Sequence, residues 1–149
     1  MPNTLSVYKI SFKKLLSTYS TISELDLEKI ASLDIESSFD YEKDELYYCY
    51  VITTKLEINK YRKILEKNLI GFTCEDMSTP IIKNEYDISY IKEYLDQENY
   101  YIYEIFIEDL DKWIYSKLDL DTVLDMISYK GMDSLRPVDK KFLKENYEN

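Results

Sequence analysis

The sequence predicts a single α+β domain over residues 1–149, with a mostly antiparallel sheet of four or five strands and about four to five helices. Strand-like and helix-like segments follow one another irregularly, without the strict alternation typical of a parallel sheet. A length of 149 residues suits one domain better than two. Hydrophobic residues make up 45% of the chain, which is enough to form a core.

The first half of the chain is predicted to supply most of the sheet. Residues 5–12 alternate between apolar and polar side chains, as a strand with one buried face does. Residues 35–41 and 46–54 are two further strand-like runs separated by the polar segment 42–45, which predicts a hairpin. Between the first two strands, Ser23 opens a capping-box pattern that predicts a short helix.

A helix is predicted next, because the apolar side chains of residues 57–68 recur on one side. Residues 72–77 are predicted to form another short strand, so a split β-α-β unit is expected in this part of the chain. Residues 78–84 contain Pro80 and are predicted to form a loop.

The rest of the chain is predicted to contain one strong strand and several helices. Residues 100–107 are predicted to form a strand, with the odd-numbered residues, two tyrosines and two isoleucines, on one face and the even-numbered residues on the other. Helix starts are expected at Asp87, Asp109, Asp119 or Asp121, and Pro137. Gly131 is expected to end the helix that begins near Asp119.

Composition excludes several kinds of chemistry. The chain has no histidine, which excludes Ser-His-Asp and Cys-His sites and histidine metal ligands. Its two glycines, Gly71 and Gly131, belong to no phosphate-binding loop pattern. Cys49 and Cys74 are too few for a four-ligand zinc site and are expected to be buried free thiols. No cofactor, metal or catalytic site is therefore predicted.

The expected location is the cytoplasm. The N-terminal segment does not resemble a signal peptide, because no basic region precedes an apolar stretch. The longest uncharged strand-like run, residues 46–54, is far shorter than the roughly 20 residues that a membrane-spanning helix needs. Two free thiols are also typical of a reducing compartment.

The negative charge is concentrated in two blocks. The formal net charge is −10. Residues 24–45 carry nine acids against two lysines, a net charge of −7, and residues 75–125 carry fourteen acids against four lysines, a net charge of −10. Such acidity disfavours direct contact with nucleic acid or anionic membrane and favours a basic partner protein.

Within these blocks many acids lie two positions apart. In an extended segment this spacing places carboxylates about 6.5–7 Å apart on one side, close to the spacing of successive phosphates in a nucleic-acid strand. Tyrosines among the acids would anchor an interface. The predicted partner-binding residues are Asp87, Tyr90, Tyr94, Asp96, Glu98, Tyr100, Tyr103, Asp109, Asp111, Asp119, Asp121 and Asp125.

These patterns predict a small non-enzymatic inhibitor that masks the basic cleft of a nuclease or other nucleic-acid-binding protein. Two settings are equally compatible: an immunity protein against a nuclease toxin, and a phage anti-defence protein such as an anti-CRISPR or anti-restriction mimic.

Other interpretations stay open. The aspartates between residues 109 and 125 could bind Mg²⁺ or Ca²⁺ in a small enzyme, and Asp139, followed by Lys140 and Lys141, is the nearest match to a nuclease pattern. The chain could also be a structural subunit of a larger assembly. In the plainest interpretation, the acids cap helices and keep the protein soluble.

Overall fold

The structure, a computed structural model of the chain, describes residues 4–13, 22–68 and 71–147. It divides into two compact units, with the boundary between Met77 and Ser78. The first unit contains the sheet and two helices, and the described part of the second unit contains helices and their connections. The predicted α+β class is confirmed, and the prediction of one domain stays a prediction.

The sheet of the first unit has four antiparallel strands. They are β1 (Leu5–Lys13), β2 (Ile35–Lys43), β3 (Leu46–Thr54) and β4 (Phe72–Asp76). The spatial order is β2-β3-β1-β4, and each strand is antiparallel to its neighbours. Strands β3 and β4 therefore run parallel on either side of β1 and are joined through α2 (Lys55–Lys67), which confirms the predicted split β-α-β unit.

Strands β2 and β3 form the predicted hairpin, with a tighter turn than the four-residue segment predicted. The connection consists of Asp44 and Glu45, whose φ angles are 54° and 65°. Positive φ at both central residues is the geometry of a type I′ turn, whose twist matches that of the flanking strands. The strands therefore continue further into the polar segment than its composition indicated.

One face of the sheet packs against α2, which contacts β1 and β3. The buried residues of this cluster are Tyr8, Ile10, Phe12, Val51, Ile58 and Leu65. The other side of the sheet is also buried in places, since Val7, Phe39, Tyr50 and Ile52 are at most 1% exposed. Strand β3 is therefore buried on both faces, as predicted for a central strand.

Asp26 connects α1 (Glu24–Ala31) to the end of α2. Its carboxylate, in a residue that is 1% exposed, accepts hydrogen bonds from Nδ2 of Asn68 at 3.2 Å and Nζ of Lys67 at 3.3 Å. These two hydrogen bonds lower the pKa of Asp26, so the ionised form is favoured. The backbone N–H of Asp26 donates to Oγ of Ser23, which confirms the predicted N-cap of α1.

The second unit contains four α-helices and two short 3-10 helices in its described residues. These are α3 (Ser78–Ile82), a 3-10 helix (Ile88–Tyr94), α4 (Gln97–Lys117), α5 (Leu120–Lys130), a 3-10 helix (Met132–Ser134) and α6 (Pro137–Tyr147). Helix α4 contacts α3 and α6, and α5 contacts α6. The short helix α3 replaces most of the loop predicted for residues 78–84, so the helix count slightly exceeds the prediction.

Three predicted helix boundaries in this unit are confirmed. The side chain of Asp119 caps α5 by accepting the N–H of Thr122 at 2.7 Å. Gly131 ends α5 with a φ of 84°, a backbone conformation that other residues rarely adopt. Helix α6 begins at Pro137, where the missing N–H of proline loses no hydrogen bond.

The strand predicted for residues 100–107 is wrong, because this segment lies inside the 21-residue helix α4. Tyrosine and isoleucine are typical of strands, but the buried side chains of α4 recur with helical spacing. They are Tyr103, Phe106, Leu110, Trp113 and Ile114. Asp96 caps the helix by accepting the N–H of Asn99 at 2.8 Å. Asp109 lies in the helix interior, so its predicted capping role is also wrong.

Candidate functional site

The second unit contains a groove of about 660 Å³ lined by α4, by residues 81–92 and by residues 134–137. A volume of this size is typical of binding sites. Four carboxylates line it, those of Asp87, Glu104, Glu108 and Asp111, and we call it the acidic groove. The question is whether these acids are used within the fold or are available to a partner.

Three of the four acids form a stripe on α4. Glu104, Glu108 and Asp111 are spaced i, i+4 and i+7, so they lie on the same side of the helix. All three are exposed, and none forms a hydrogen bond or an ion pair with the described part of the chain. The stripe therefore presents unpaired carboxylates along the groove.

The fourth acid comes from another element. Asp87 caps the 3-10 helix Ile88–Tyr94 by accepting the N–H of Ser89 at 2.8 Å, and it accepts the Ser89 hydroxyl at 2.7 Å. The hydroxyl hydrogen bond is the main reason that the pKa of Asp87 is lowered, and the charges of Lys92 and Arg136 lower it further. Asp87 therefore adds a well-stabilised negative charge to the groove.

Arg136 lines the same groove, but Asp139 balances its charge. The guanidinium donates to both carboxylate oxygens of Asp139, at 2.9 and 3.0 Å, and to the carbonyl oxygens of Ile81 at 2.6 Å and Ile82 at 3.0 Å. Asp139 is fully buried. This network fixes the start of α6 to the end of α3 and leaves Lys92 as the other cation among the groove residues.

Asp87 of the 3-10 helix and Asp111 of α4 both act electrostatically on Tyr103. Burial is the main cause that raises the pKa of Tyr103 to about 12, and the charges of Asp87, Tyr100 and Asp111 raise it further. Although the side chain of Asp111 is exposed, partial desolvation of its carboxylate in the groove raises its pKa; the charge of Arg136 lowers this pKa and that of Asp139 raises it. Negative potential from α4 and from the 3-10 helix is therefore superposed around the Tyr103 ring.

Four of the twelve predicted partner-binding residues line the acidic groove: Asp87, Tyr100, Tyr103 and Asp111. Tyr103 is only 3% exposed, so its side chain belongs to the interior of the second unit and offers little surface to a partner. Tyr100 is 37% exposed and stands one helical turn before Glu104. An accessible aromatic ring therefore lies next to the acidic stripe on α4.

The other eight predicted residues lie outside the groove. Tyr90 and Tyr94 are exposed on the 3-10 helix, and the Tyr90 hydroxyl lies 3.2 Å from that of Tyr86. Asp96 and Asp119 serve as N-caps. The remaining acids lie elsewhere on α4 and α5, namely Glu98, Asp109, Asp121 and Asp125.

The sequence prediction missed Glu104 and Glu108. A strand over residues 100–107 places Glu104 on a sheet face and leaves Glu108 beyond the end of the strand, so it predicts no shared face with Asp111. On the helix, the i, i+4, i+7 pattern is visible in the sequence itself. The helix also removes the phosphate-like spacing expected for Asp109 and Asp111, because residues two apart on a helix point in different directions.

The carboxylate metal site remains without geometric support. In the described ranges, no three Asp, Glu, Cys or His side chains converge in a way that could hold a metal ion. Asp139, the acid nearest to a nuclease pattern, is bonded to Arg136.

Both cysteines are free thiols, as predicted, and are partly buried. Cys49 of β3 and Cys74 of β4 lie opposite Ile10 from its two sides, so a whole strand separates them and they are too far apart for a disulfide. Burial raises the pKa of Cys49 to about 12, and the charge of Asp40 adds to this effect. Such a thiol is a poor nucleophile.

Across the described residues, no helix has both the length and the apolar character needed to cross a bilayer. No protein-family model and no curated protein matches this sequence.

Proposed function

We propose that this protein is a small non-enzymatic inhibitor that acts in the cytoplasm and binds a basic, nucleic-acid-binding protein through the acidic groove. Its acids would occupy the cleft that holds nucleic acid in the target. An immunity protein against a nuclease toxin and a phage anti-defence protein both fit this role, because in each case the target is basic.

The observation that carries the proposal is the unpaired stripe of Glu104, Glu108 and Asp111. A rise of about 1.5 Å per residue places Glu104 and Glu108 about 6 Å apart along the helix axis, comparable to successive phosphates. Like charges at this spacing destabilise an isolated helix slightly. What distinguishes this stripe from other unpaired acids is its position along a groove beside the exposed ring of Tyr100.

Exposed aromatic residues on the same helix offer apolar contact area, which the carboxylates lack. Tyr100 and Tyr101 are 37% and 66% exposed, and tyrosine is frequent among the residues that dominate binding energy at interfaces. The acids would accelerate and steer association with a basic surface, and the tyrosine rings would slow dissociation.

The proposal is tested by binding to a panel of purified basic nucleases and nucleic-acid-binding proteins at 50 and 300 mM salt. We expect at least one protein to bind, with an affinity that falls about tenfold or more at high salt, and to release its nucleic acid as the complex forms. The proposal fails if none of the panel binds at low salt, or if inhibitor and nucleic acid occupy the target together.

A charge-matched pair of variants tests the role of the groove. The triple variant E104Q/E108Q/D111N removes three charges from the stripe, and we expect it to bind about tenfold more weakly. The control E28Q/E36Q/D44N removes three exposed charges from the first unit, and we expect less than a twofold loss. Equal losses in both variants would mean that net charge, and not the groove, drives binding.

A further inference from the structure

We propose that the acidic groove receives an arginine side chain of the partner, with its aliphatic stem on the apolar floor and its guanidinium among Glu104, Glu108 and Asp111. This inference rests on the proposed function, since it names the residue type by which the basic target is recognised. Three features of the groove support it.

The first feature is the apolar floor beneath the charged rim. Ile107 is half-buried and Pro137 is exposed, and both line the groove beside the buried side chains of Ile88, Leu110 and Ile114. The apolar surface that a ligand can reach therefore includes Ile107 and Pro137. A long side chain with a charged end can cover such a floor with its methylene groups while its charge stays at the rim. Attraction of cations by charge alone would not require apolar side chains beside the carboxylates.

The second feature is the order of residues along α4. Tyr100 and Glu104 are one turn apart, Glu108 follows one turn later, and Asp111 continues the same side of the helix. A planar guanidinium can stack on an aromatic ring and bind carboxylates through two parallel hydrogen bonds. The more strongly hydrated lysine ammonium offers neither the stacking nor the paired geometry, so this stripe favours arginine over lysine.

The third feature is charge complementarity. Among the residues that line the groove, the charges of Asp87, Glu104, Glu108 and Asp111 are opposed by that of Lys92, since Arg136 is paired with Asp139. Four carboxylates against one ammonium leave a net charge of −3. A single bound guanidinium would offset part of this repulsion without removing any hydrogen bond of the fold.

The test uses two eight-residue peptides, in which glycine alternates with four arginines or with four lysines. Their binding to the full chain is measured by calorimetry and by chemical shifts of ¹³C-labelled isoleucine methyl groups. We expect the arginine peptide to bind at least fivefold tighter than the lysine peptide, with the largest shift at Ile107 and smaller shifts at the neighbouring Ile88 and Ile114. Equal affinities, or shifts spread over the whole chain, would overturn the proposal.

Substitutions test whether the preference for the arginine peptide arises in the acidic groove. We expect E108Q to weaken the arginine peptide about fivefold, E98Q on the same helix to change its affinity less than twofold, and K92Q to strengthen it. Circular dichroism of each variant shows that the helices are intact. If E98Q weakens the peptide as much as E108Q does, the peptide is not held in the groove.

This result separates the two proposals. If basic proteins bind and release nucleic acid while the two peptides bind equally, the arginine site is refuted and the inhibitor function stands. If the arginine peptide binds in the groove but no basic protein does, the site is supported and the inhibitor function is refuted.

Discussion

At the scale of single residues, the carboxylates of this protein fall into two groups. Some are used by the fold: Asp26 joins two helices, Asp139 holds Arg136, and Asp96 and Asp119 cap helices. Others, such as Glu104 and Glu108, have no partner in the described part of the chain. The net charge counts both groups equally, although only the first group contributes hydrogen bonds or ion pairs to the described part of the fold.

Asp139 is expected to be essential for the stability of the second unit. D139N removes the charge that balances Arg136, whose side chain is only 20% exposed, and we expect a loss of about 3 kcal/mol in the free energy of unfolding. Urea denaturation measures the change. The control D133N makes the same substitution at an exposed position and is expected to change stability by less than about 0.5 kcal/mol. Similar small losses in both variants would contradict the role assigned to Asp139.

Asp26 is expected to make stability depend on pH. Its folded pKa is lowered below the ordinary value of 3.8 by the hydrogen bonds from Asn68 and Lys67. Its contribution is therefore fully present above pH 3.8 and is lost as the pH falls through the lower folded value. We expect wild type to melt at a higher temperature than D26N at pH 7, and this difference to shrink below pH 3.8. A difference that is constant with pH would refute this linkage.

At the scale of elements, the sheet was predictable and the long helix was not. The hairpin and the split β-α-β unit follow from alternation and turn composition, which are local signals. Residues 100–107 carry a strand-like composition, and their helical state depends on packing along all of α4. The groove was missed for the same reason, because Glu104 and Glu108 share a face with Asp111 only on a helix.

The start of α4 can be tested through its cap. Asp96 accepts the N–H of Asn99 at 2.8 Å, so we expect D96A to lower the free energy of unfolding by about 1 kcal/mol. Q97A, at the next exposed position, is expected to have almost no effect, since alanine is a good helix former. Thermal denaturation of both variants measures the difference. If the segment were a strand beginning at Tyr100, D96A would cost no more than Q97A.

At the scale of the whole chain, the charge is shared unequally between the two units. Residues 1–77 contain thirteen acids and ten basic residues, a net charge of −3, while residues 78–149 contain sixteen acids and nine basic residues, a net charge of −7. The second unit therefore carries most of the excess as well as the acidic groove. The second unit also contains all twelve predicted partner-binding residues, from Asp87 to Asp125.

If the unpaired acids serve binding, their removal must stabilise the fold while it weakens the partner complex. Glu104 and Glu108 form a like-charged i, i+4 pair. We therefore expect the free energy of unfolding of E104Q/E108Q/D111N to exceed that of wild type by about 0.2–0.5 kcal/mol for each repulsive pair relieved. This gain should shrink as salt rises from 10 to 300 mM, because salt screens exposed charges. Urea denaturation at both salt concentrations measures it. A variant that is less stable than wild type at low salt would show that the stripe supports the fold itself.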